Sequence, residues 1–266
     1  MGVADIIPGI SGGTIALITG IYERLIQSIN NIDFKFVPYS LKGDFRKARK
    51  NFIDIDFKLF IPLLFGIGLA FLLMANAIHY LLNNYVALTY AFFFGLILSS
   101  AAIIYKQVDG LSVKNILSLL IGFLLAFLFV GIGALQIGHS LPIIFLSGII
   151  AICAMILPGI SGSFLLLLLN QYEHMLFVLK SLQLPEIFTF CSGAFVGILC
   201  FSRILNYLLD KHKALTFSFL IGLMLGALRL PYQQIVATEF NFLILIPAIL
   251  GFSIGFILES KSKKIN

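Results

Sequence analysis

The stretch PGISGGTIALITGIYERL occupies residues 8–25, and 150 residues later the chain repeats it as PGISGSFLLLLLNQYEHML at 158–176. Both copies lie within apolar sequence that would otherwise favour an unbroken helix. Proline has no amide hydrogen and disfavours helical geometry in the residue before it, while glycine adopts backbone angles closed to other residues. The first copy therefore predicts a helix that ends near Pro8, a reversal of the chain and a second helix that starts near Ser11. The second copy predicts the same arrangement.

The composition of the chain is that of an integral membrane protein. Hydrophobic residues make up 60% of the 266 residues and charged residues only 11%, whereas soluble domains contain about 45–50% and about 25%. The basic residues lie in loops and not along a groove with interleaved aromatic residues. The sequence therefore does not indicate a nucleic-acid partner.

Outside the motifs, six segments are predicted to cross the membrane. A hydrocarbon core about 30 Å thick requires roughly 20 mostly apolar residues in each helix. Polar residues, proline or glycine bound every segment. The segments are 58–82, 85–105, 115–137, 185–209, the shorter 215–230, and 240–258. Three GxxxG pairs within them, at 193/197, 222/226 and 251/255, are typical of close helix packing.

The chain also repeats itself beyond the motif. GIGLAFLLMANAIHYLL at 66–82 matches GAFVGILCFSRILNYLL at 193–209, and LTYAFFFGLILSSAAIIYKQ at 88–107 matches LTFSFLIGLMLGALRLPYQQ at 215–234 in the same register. We therefore expect an all-α polytopic protein with a single membrane domain, residues 1–266, built from two homologous repeats at 1–139 and 140–266. Each repeat should contain a re-entrant or broken helical hairpin and three transmembrane helices.

Loop charges predict how the two repeats are oriented. Cytoplasmic loops of membrane proteins are enriched in Lys and Arg, which places the loop 35–58 and the basic C-terminus in the cytoplasm of a cell-membrane protein. With this topology only Lys180 and Arg229, of eighteen Lys and Arg, fall on the outer side. Three spans separate the two hairpins, an odd number, so the repeats should be inverted and one hairpin should enter from each side. Many secondary transporters have this architecture.

The two hairpin tips are the predicted functional site. Non-helical backbone at membrane depth persists only where protein shields it or a watery cavity adjoins it, and free N–H groups at helix N-termini bind phosphate or carboxylate. We expect the tips to form a central anion site from backbone and hydroxyl groups. Its residues would be Gly9, Ser11, Gly12, Gly13, Thr14, Gly159, Ser161, Gly162 and Ser163. The alternative is that each PGISG is only a kink or a small-residue packing face.

Charged residues within the apolar sequence are further candidates, because an ionised group in the membrane is costly and usually reflects use. Arg24 or Arg203 is expected to supply positive charge to the bound anion, with snorkelling to the interface as the alternative for Arg203. Glu23, Glu173 and Asp5 are candidates for coupling or gating, with H⁺ or Na⁺ as the coupled ion. The alternatives are an interfacial Glu23–Arg24 charge pair and a helix-capping role for Asp5.

Enzymatic chemistry is not predicted. Residues 9–13 fit the pattern G-x-S-x-G, but that nucleophile elbow belongs on a strand-to-helix turn, and no strand is expected here. The four histidines are scattered without the spacing of metal ligands: His79, His139, His174 and His212. We therefore expect neither a catalytic triad nor a metal site, and no cofactor.

The stretches GVADIIPGISGGTIALITGIYERLI and ILPGISGSFLLLLLNQYEHML resemble the PopT family of bacterial and archaeal polyprenyl-phosphate translocases. The resemblance covers essentially the whole chain and rests on two specific motifs in the same order. It implies a cytoplasmic-membrane protein that returns undecaprenyl phosphate from the outer to the inner leaflet, for reuse in peptidoglycan and other envelope polymers. Gly20 of the first copy is expected to have no counterpart in the second, which continues N-Q-Y-E-H.

The anion site expected from the residues and the lipid substrate implied by the resemblance are compatible. A polyprenyl phosphate needs a polar pocket for its head between the two tips and a lipid-open side for its tail, and one hairpin unit would rock against the other. Three other classes stay open: an ion-coupled secondary transporter of a small soluble anion, an intramembrane lipid phosphatase and a membrane scaffold. A sealed lateral wall would distinguish the soluble-anion transporter.

Overall fold

A computed structural model describes residues 1–5, 11–31, 56–106, 108, 110, 112–131, 137–237 and 242–262. These residues form helices joined by short turns, with no strand among them, so the predicted all-α class is confirmed. The helices are α1 (Gly2–Asp5), α2 (Gly12–Ile18), α3 (Tyr22–Asn30), α4 (Phe57–Asn84), α5 (Val86–Tyr105), α6 (Val113–Gly131), α7 (Leu141–Ile156), α8 (Gly162–Leu168), α9 (Tyr172–Lys180), α10 (Leu184–Lys211), α11 (Lys213–Ala227), α12 (Arg229–Val236) and α13 (Leu245–Ser262).

Five stretches of the described chain are helical, long and apolar enough to cross a membrane, and the bent pair α8 and α9 is a sixth candidate. The five are Phe57–Met74 within α4, Val86–Tyr105, Val113–Gly131, Leu184–Lys211 and Lys213–Val236. Each overlaps one of the first five predicted segments, although 132–136 of the segment predicted at 115–137 lie outside the described residues. The segment predicted at 215–230 is longer than expected because α12 continues α11. The last predicted segment, 240–258, corresponds to the shorter apolar helix Leu245–Ile257, and 238–241 lies outside the described residues.

Close backbone contacts at glycine build the centre of the protein. A Cβ atom at Gly95 of α5 would collide with the Ala248 carbonyl of α13, and one at Gly222 of α11 would collide with the Leu119 carbonyl of α6. Lipid tails are as apolar as leucine, so helices in a membrane associate through this tight packing of small residues. All three predicted GxxxG pairs are confirmed as packing positions, because a Cβ at each of their six glycines would collide with a facing helix.

The same contacts pair the first part of the chain with the second. Helix α5 packs on α13, and α11 packs on α6. The internal repeat aligns Gly95 of α5 with Gly222 of α11. Each of these two corresponding helices therefore packs on a helix from the other part of the chain. The division at residue 139 and the inverted orientation of the repeats stay predictions.

Candidate functional site

Ser11 and Ser161 cap the helices that follow the two motifs. Ser11 Oγ accepts a hydrogen bond from the Gly13 N–H at 3.1 Å, and Ser161 Oγ accepts one from the Phe164 N–H at 3.5 Å. A serine in this position satisfies an N–H that has no partner within the helix. The predicted helix start near Ser11 is confirmed, while Gly9 lies outside the described residues.

The two motifs contact each other directly. Ser11 Oγ donates a hydrogen bond to the Leu157 carbonyl at 2.8 Å, and the Gly159 N–H donates one to Thr14 Oγ1 at 3.0 Å. The bond to Thr14 is buried, and the bond from Ser11 to Leu157 is partly buried. Gly159 has a φ of +86°, a backbone conformation that glycine adopts without strain. The prediction that the two tips converge is confirmed for their described parts.

The N–H groups of three motif glycines are satisfied within the chain. The Gly12 N–H donates to Asp5 Oδ1 at 2.7 Å, and the Gly13 and Gly159 N–H groups donate to the serine and threonine oxygens named above. The expectation that the tips present free N–H groups is therefore wrong for these three glycines. Thr14 and Gly159 hold the motifs together, and neither lines the cavity beside them.

A cavity of about 460 Å³ lies beside the motif contact. The motifs contribute Ser11, Gly13 and 161–163 to its lining, and α3, α4, α7 and α10 contribute apolar side chains. Leu64 of α4 and Phe195 of α10 also line it and are 65% and 48% exposed, so the cavity adjoins the apolar outer surface of the protein. It is therefore polar where the motifs meet and apolar toward the lipid-facing side.

Ser161 and Ser163 place a pair of hydroxyls in this cavity, with their Oγ atoms 2.8 Å apart. A hydroxyl has one hydrogen to donate and two lone pairs to accept with. The bond between the two serines uses one hydrogen and leaves the other for a ligand. The pair can therefore donate to an anion without losing its own bond.

Asp5 is the acidic side chain of the cavity lining. Its carboxylate lies against Gly12, where a Cβ atom would fall 2.5 Å from both carboxylate oxygens. Asp5 accepts the Gly12 N–H at the start of α2, whose N-cap residue is Ser11, so its carboxylate satisfies an N–H that has no partner within that helix. No Lys or Arg side chain is among the described residues that line this cavity.

Arg24 and Glu23 form ion pairs outside the cavity lining. Arg24 binds both carboxylate oxygens of Asp56 at 2.9 and 3.0 Å, and Lys213 Nζ lies 2.8 Å from a Glu23 carboxylate oxygen. The Arg24 hydrogen bonds hold the pKa of Asp56 below its usual range, so this pair stays ionised at neutral pH. The mutual Glu23–Arg24 pair considered from sequence is wrong, and Arg24 does not line the cavity that it was expected to serve.

Arg203 and Glu173 are exposed, and neither lines the cavity. Arg203 follows Leu199 by four residues on α10, and Leu199 does line it. Residues four apart are neighbours on one face of a helix, so Arg203 lies one turn beyond the cavity. A charge-supplying role for Arg203 and a coupling role for Glu173 stay predictions.

Both motif helices break again, at 19–21 and 169–171. Gly20 and Asn170 have left-handed φ angles of +72° and +56°, and the N–H groups of Ile21 and Gln171 bond to carbonyls five residues earlier at 3.0 and 2.8 Å. This is the Schellman ending of a helix. Asparagine is one of the few side chains that adopt the left-handed region readily. The expectation that Gly20 has no counterpart is therefore wrong, and the break bends α8 and α9 by 104°.

A polar cluster beside the second hairpin was missed by the sequence analysis. Gln171 is fully buried, and its Nε2 donates to the Gly138 carbonyl at 3.1 Å while its Oε1 lies 3.3 Å from His139 Nδ1. The His139 ring stacks on His174 with centroids 4.0 Å apart, and His174 Nε2 lies 2.6 Å from Glu186 Oε2. Alignment of the two motifs could have pointed to this cluster, because it places His174 at the position of Arg24. Arg24 is paired with a carboxylate, and so is His174.

Metal binding finds no support in this cluster. Among the residues that the structure describes, no group of three or more His, Cys, Asp or Glu side chains is arranged to hold a metal ion.

Comparison with known proteins gives consistent results. A family model described as VCA0040-like, undecaprenyl phosphate translocase-like, matches residues 1–245. A protein of Vibrio cholerae serotype O1 (strain ATCC 39315 / El Tor Inaba N16961), named polyprenyl-phosphate transporter, is 41% identical over 235 residues, which cover 86% of this chain and 73% of the relative. One of Staphylococcus aureus (strain NCTC 8325 / PS 47) with the same name is 30% identical over 278 residues, 97% of this chain and 91% of the relative. No solved structure matches the chain significantly.

Proposed function

Because the chain belongs to the VCA0040-like, undecaprenyl phosphate translocase-like family, we propose that it transports polyprenyl phosphate across the cell membrane. The proposed substrate is undecaprenyl phosphate, and the proposed direction is from the outer to the inner leaflet. There the lipid carrier is used again for cell-envelope synthesis. The protein acts as a translocase and not as an enzyme.

The two-sided character of the cavity carries this proposal. Its polar groups come from the motifs and Asp5, its other walls are apolar, and exposed Leu64 and Phe195 border it. A polyprenyl phosphate is divided in the same way, with a phosphate at one end of a long isoprenoid chain. The phosphate lies beside Ser11, Ser161 and Ser163, and the chain leaves between α4 and α10 into the lipid.

Hydroxyl donors hold the phosphate in this arrangement. The spare hydrogen of the Ser161–Ser163 pair makes a charge-assisted bond to a phosphate oxygen. Arg203, one turn along α10 from the cavity, adds positive charge when its flexible side chain swings toward the head. Gly13 and Gly162 leave room for the head because they line the cavity without a side chain.

Asp5 couples transport to a cation. A carboxylate and a phosphate that share a cavity of low dielectric repel each other. Asp5 must therefore take up a proton or pair with Na⁺ while the phosphate is bound. The exposed Glu23–Lys213 pair joins the first hairpin to α11, and its separation gates the movement of that hairpin; Glu173 is the candidate in the second hairpin.

Alternating access follows from two inverted repeats, 1–139 and 140–266. The hairpins enter from opposite sides of the membrane, with the loop 35–58 and the C-terminus in the cytoplasm, and one unit rocks against the other. The hydrogen bonds from Ser11 to Leu157 and from Gly159 to Thr14 lie where the units meet, which supports this arrangement.

The test is leaflet-resolved flipping of a short polyprenyl phosphate in proteoliposomes, with and without proton or sodium gradients. We expect the Ser161→Ala/Ser163→Ala variant to lower the rate about tenfold, since loss of a hydrogen bond to a charged group costs about 1.5 kcal/mol. Ser192→Ala is the matched control, because Ser192 is an exposed serine bonded to its own helix. Flipping at the wild-type rate in the double variant would refute the head site.

The same proteoliposomes separate the other classes. An ion-coupled transporter of a small soluble anion would use the same serines and Asp5 and would accumulate labelled phosphate inside the vesicles. The exposed apolar border at Leu64 and Phe195 favours the lipid substrate over that alternative. Release of free phosphate from the labelled lipid would indicate a phosphatase instead.

A further inference from the structure

A second, much smaller cavity also reaches Ser161. Its volume is about 10 Å³, roughly the least that one water molecule needs. It is lined by the end of α6, by the second motif with the start of α8, and by the junction of α11 and α12. Of the described residues that line this small cavity or the large cavity of about 460 Å³, Ser161 alone lines both. The serine proposed to hold the phosphate therefore borders two cavities.

The two cavities lie in opposite halves of the membrane on the topology proposed above. The large cavity is lined by Phe60 and Leu63, in the first two turns of α4, which follows the cytoplasmic loop 35–58. The small cavity is lined by Phe129 and Val130, in the last turn of α6. Because α4 leaves the cytoplasm and α5 returns to it, α6 ends on the outer side. The site is therefore wide in the cytoplasmic half of the membrane and nearly closed in the outer half.

Arg229 lies at the edge of the small cavity, next in sequence to Leu230, which lines it. Its Nη1 donates to the Phe127 carbonyl at 2.8 Å, and its Cζ lies 4.4 Å from the centre of the Phe127 ring. Gly131 leaves room for this position, because a Cβ atom there would collide with the guanidinium. Among the residues that the structure describes, no carboxylate is paired with Arg229. Arginine has five N–H donors, so the bond to Phe127 leaves a charged group with donors available for an anion.

We propose that Arg229 is the outer binding site for a phosphomonoester, which it holds before the small cavity opens and the phosphate reaches Ser161. This inference rests on the proposed function and its topology. A guanidinium can bind two oxygens of one phosphate at the same time. Alternating access requires the small cavity to widen when the large cavity closes, and Ser161 then faces the outer side. Arg229 has the part on that side that Arg203 is proposed to have beside the large cavity.

A purely structural role for Arg229 would have a different effect. The arginine joins α12 to α6 through its two contacts with Phe127. Loss of these contacts alone would lower the stability of the protein without changing its affinity for a phosphate. The decisive measurement is therefore binding from the outer side, recorded separately from stability and from transport.

The experiment labels a single cysteine in the small cavity, Val130→Cys in a cysteine-free background, in right-side-out membrane vesicles. A membrane-impermeant maleimide added outside shows whether water reaches the cavity from that side. Protection by a short polyprenyl phosphate gives a half-protection concentration, and inorganic phosphate and the unphosphorylated polyprenol are tested in the same way. The variants are Arg229→Gln and Arg229→Lys, and their melting temperatures are measured in detergent. Lys180→Gln is the matched control, because exposed Lys180 is the other basic residue predicted on the outer side.

We expect labelling from outside, protection by the lipid phosphate and no protection by the polyprenol. Arg229→Gln should raise the half-protection concentration at least about tenfold, as loss of a hydrogen bond to a charged group does. Arg229→Lys should raise it less, because lysine keeps the charge and loses the planar fork, and this variant decides the question if Arg229→Gln does not fold. Lys180→Gln should leave the concentration unchanged. The proposal is overturned by absence of labelling, by equal protection from the polyprenol, or by unchanged protection in the Arg229 variants, even if they melt at a lower temperature.

Flipping of the same lipid in proteoliposomes separates this site from the proposed function. Protection that depends on Arg229 without flipping supports the outer site and refutes polyprenyl-phosphate transport. Flipping by a protein whose protection does not depend on Arg229 refutes the outer site and leaves the transport function standing. Protection by inorganic phosphate that Arg229→Gln weakens, without protection by the lipid, supports the anion site and refutes the lipid as its ligand.

Discussion

Replacement of Thr14 by valine tests whether contact between the motifs is what holds the site together. Thr14 Oγ1 is the acceptor for the Gly159 N–H, and Thr14 is 1% exposed. A buried N–H left without a partner costs about 1–3 kcal/mol, while hydrogen bonds between membrane helices average about 0.6 and reach about 1.7 kcal/mol. These ranges overlap near 1–2 kcal/mol. Since valine has nearly the same shape as threonine, packing contributes little to this figure.

The measurement is thermal unfolding in detergent, followed by flipping of a short polyprenyl phosphate. A loss of 1 kcal/mol lowers the melting temperature of a protein of this size by about 2–4 °C, so we expect Thr14→Val to melt about 2–8 °C below the wild type. Flipping should also slow, because Gly159 lies two residues before the serine hydroxyls of the cavity. Thr14→Ser keeps the acceptor and should behave like the wild type. Thr189→Val removes an exposed threonine hydroxyl bonded to its own helix and should change the melting temperature little.

A clear result would refute this reasoning. If Thr14→Val melts and flips lipid like the wild type, the motif contact neither stabilises the protein nor positions the serines. If Thr14→Ser is as damaging as Thr14→Val, the methyl group and not the hydrogen bond is the important part of the side chain.

Three further predictions concern single positions. Gly12→Ala should lower flipping about tenfold because the added Cβ displaces the carboxylate bound there; Gly66→Ala, where nothing lies within 4 Å, should not change it. Asn170→Ala should cost about 1 kcal/mol of stability because alanine is strained at a φ of +56°, and Asn170→Gly should be tolerated, as melting temperatures will show. The pKa of Asp56 is lowered by Arg24, so their pair stabilises the protein at neutral pH and is lost as the pH falls through that lowered value. Arg24→Gln should therefore melt with a weaker dependence on acid pH than the wild type.

The elements of this fold could be predicted because their causes are local. Apolar runs long enough to cross a bilayer became α4, α5, α6 and α10, since a membrane obliges the backbone to satisfy its hydrogen bonds within a helix. Ser11 and Ser161 cap helices because an extended serine can accept from the N–H groups just after it. The glycine pairs mark close contacts for an equally local reason, the absence of a side chain.

The partners of the charged side chains could not be predicted in this way. Arg24 is 32 residues from Asp56, and Glu23 is 190 residues from Lys213. Neither spacing leaves a pattern in the sequence, because each pair forms only after separate helices have packed. The same reason applies to the N–H groups of Gly12, Gly13 and Gly159, which were expected to be free and instead bond to Asp5, Ser11 and Thr14.

Local chemistry in the sequence was thus enough to establish an all-helical membrane protein with two broken motifs, since hydropathy, proline and glycine act over a few residues. Only the tertiary structure decided that these motifs share hydrogen bonds, that their serines line one cavity bordered by exposed apolar side chains, and that His174 meets Glu186. Such contacts depend on the relative placement of helices, which packing between distant parts of the chain determines.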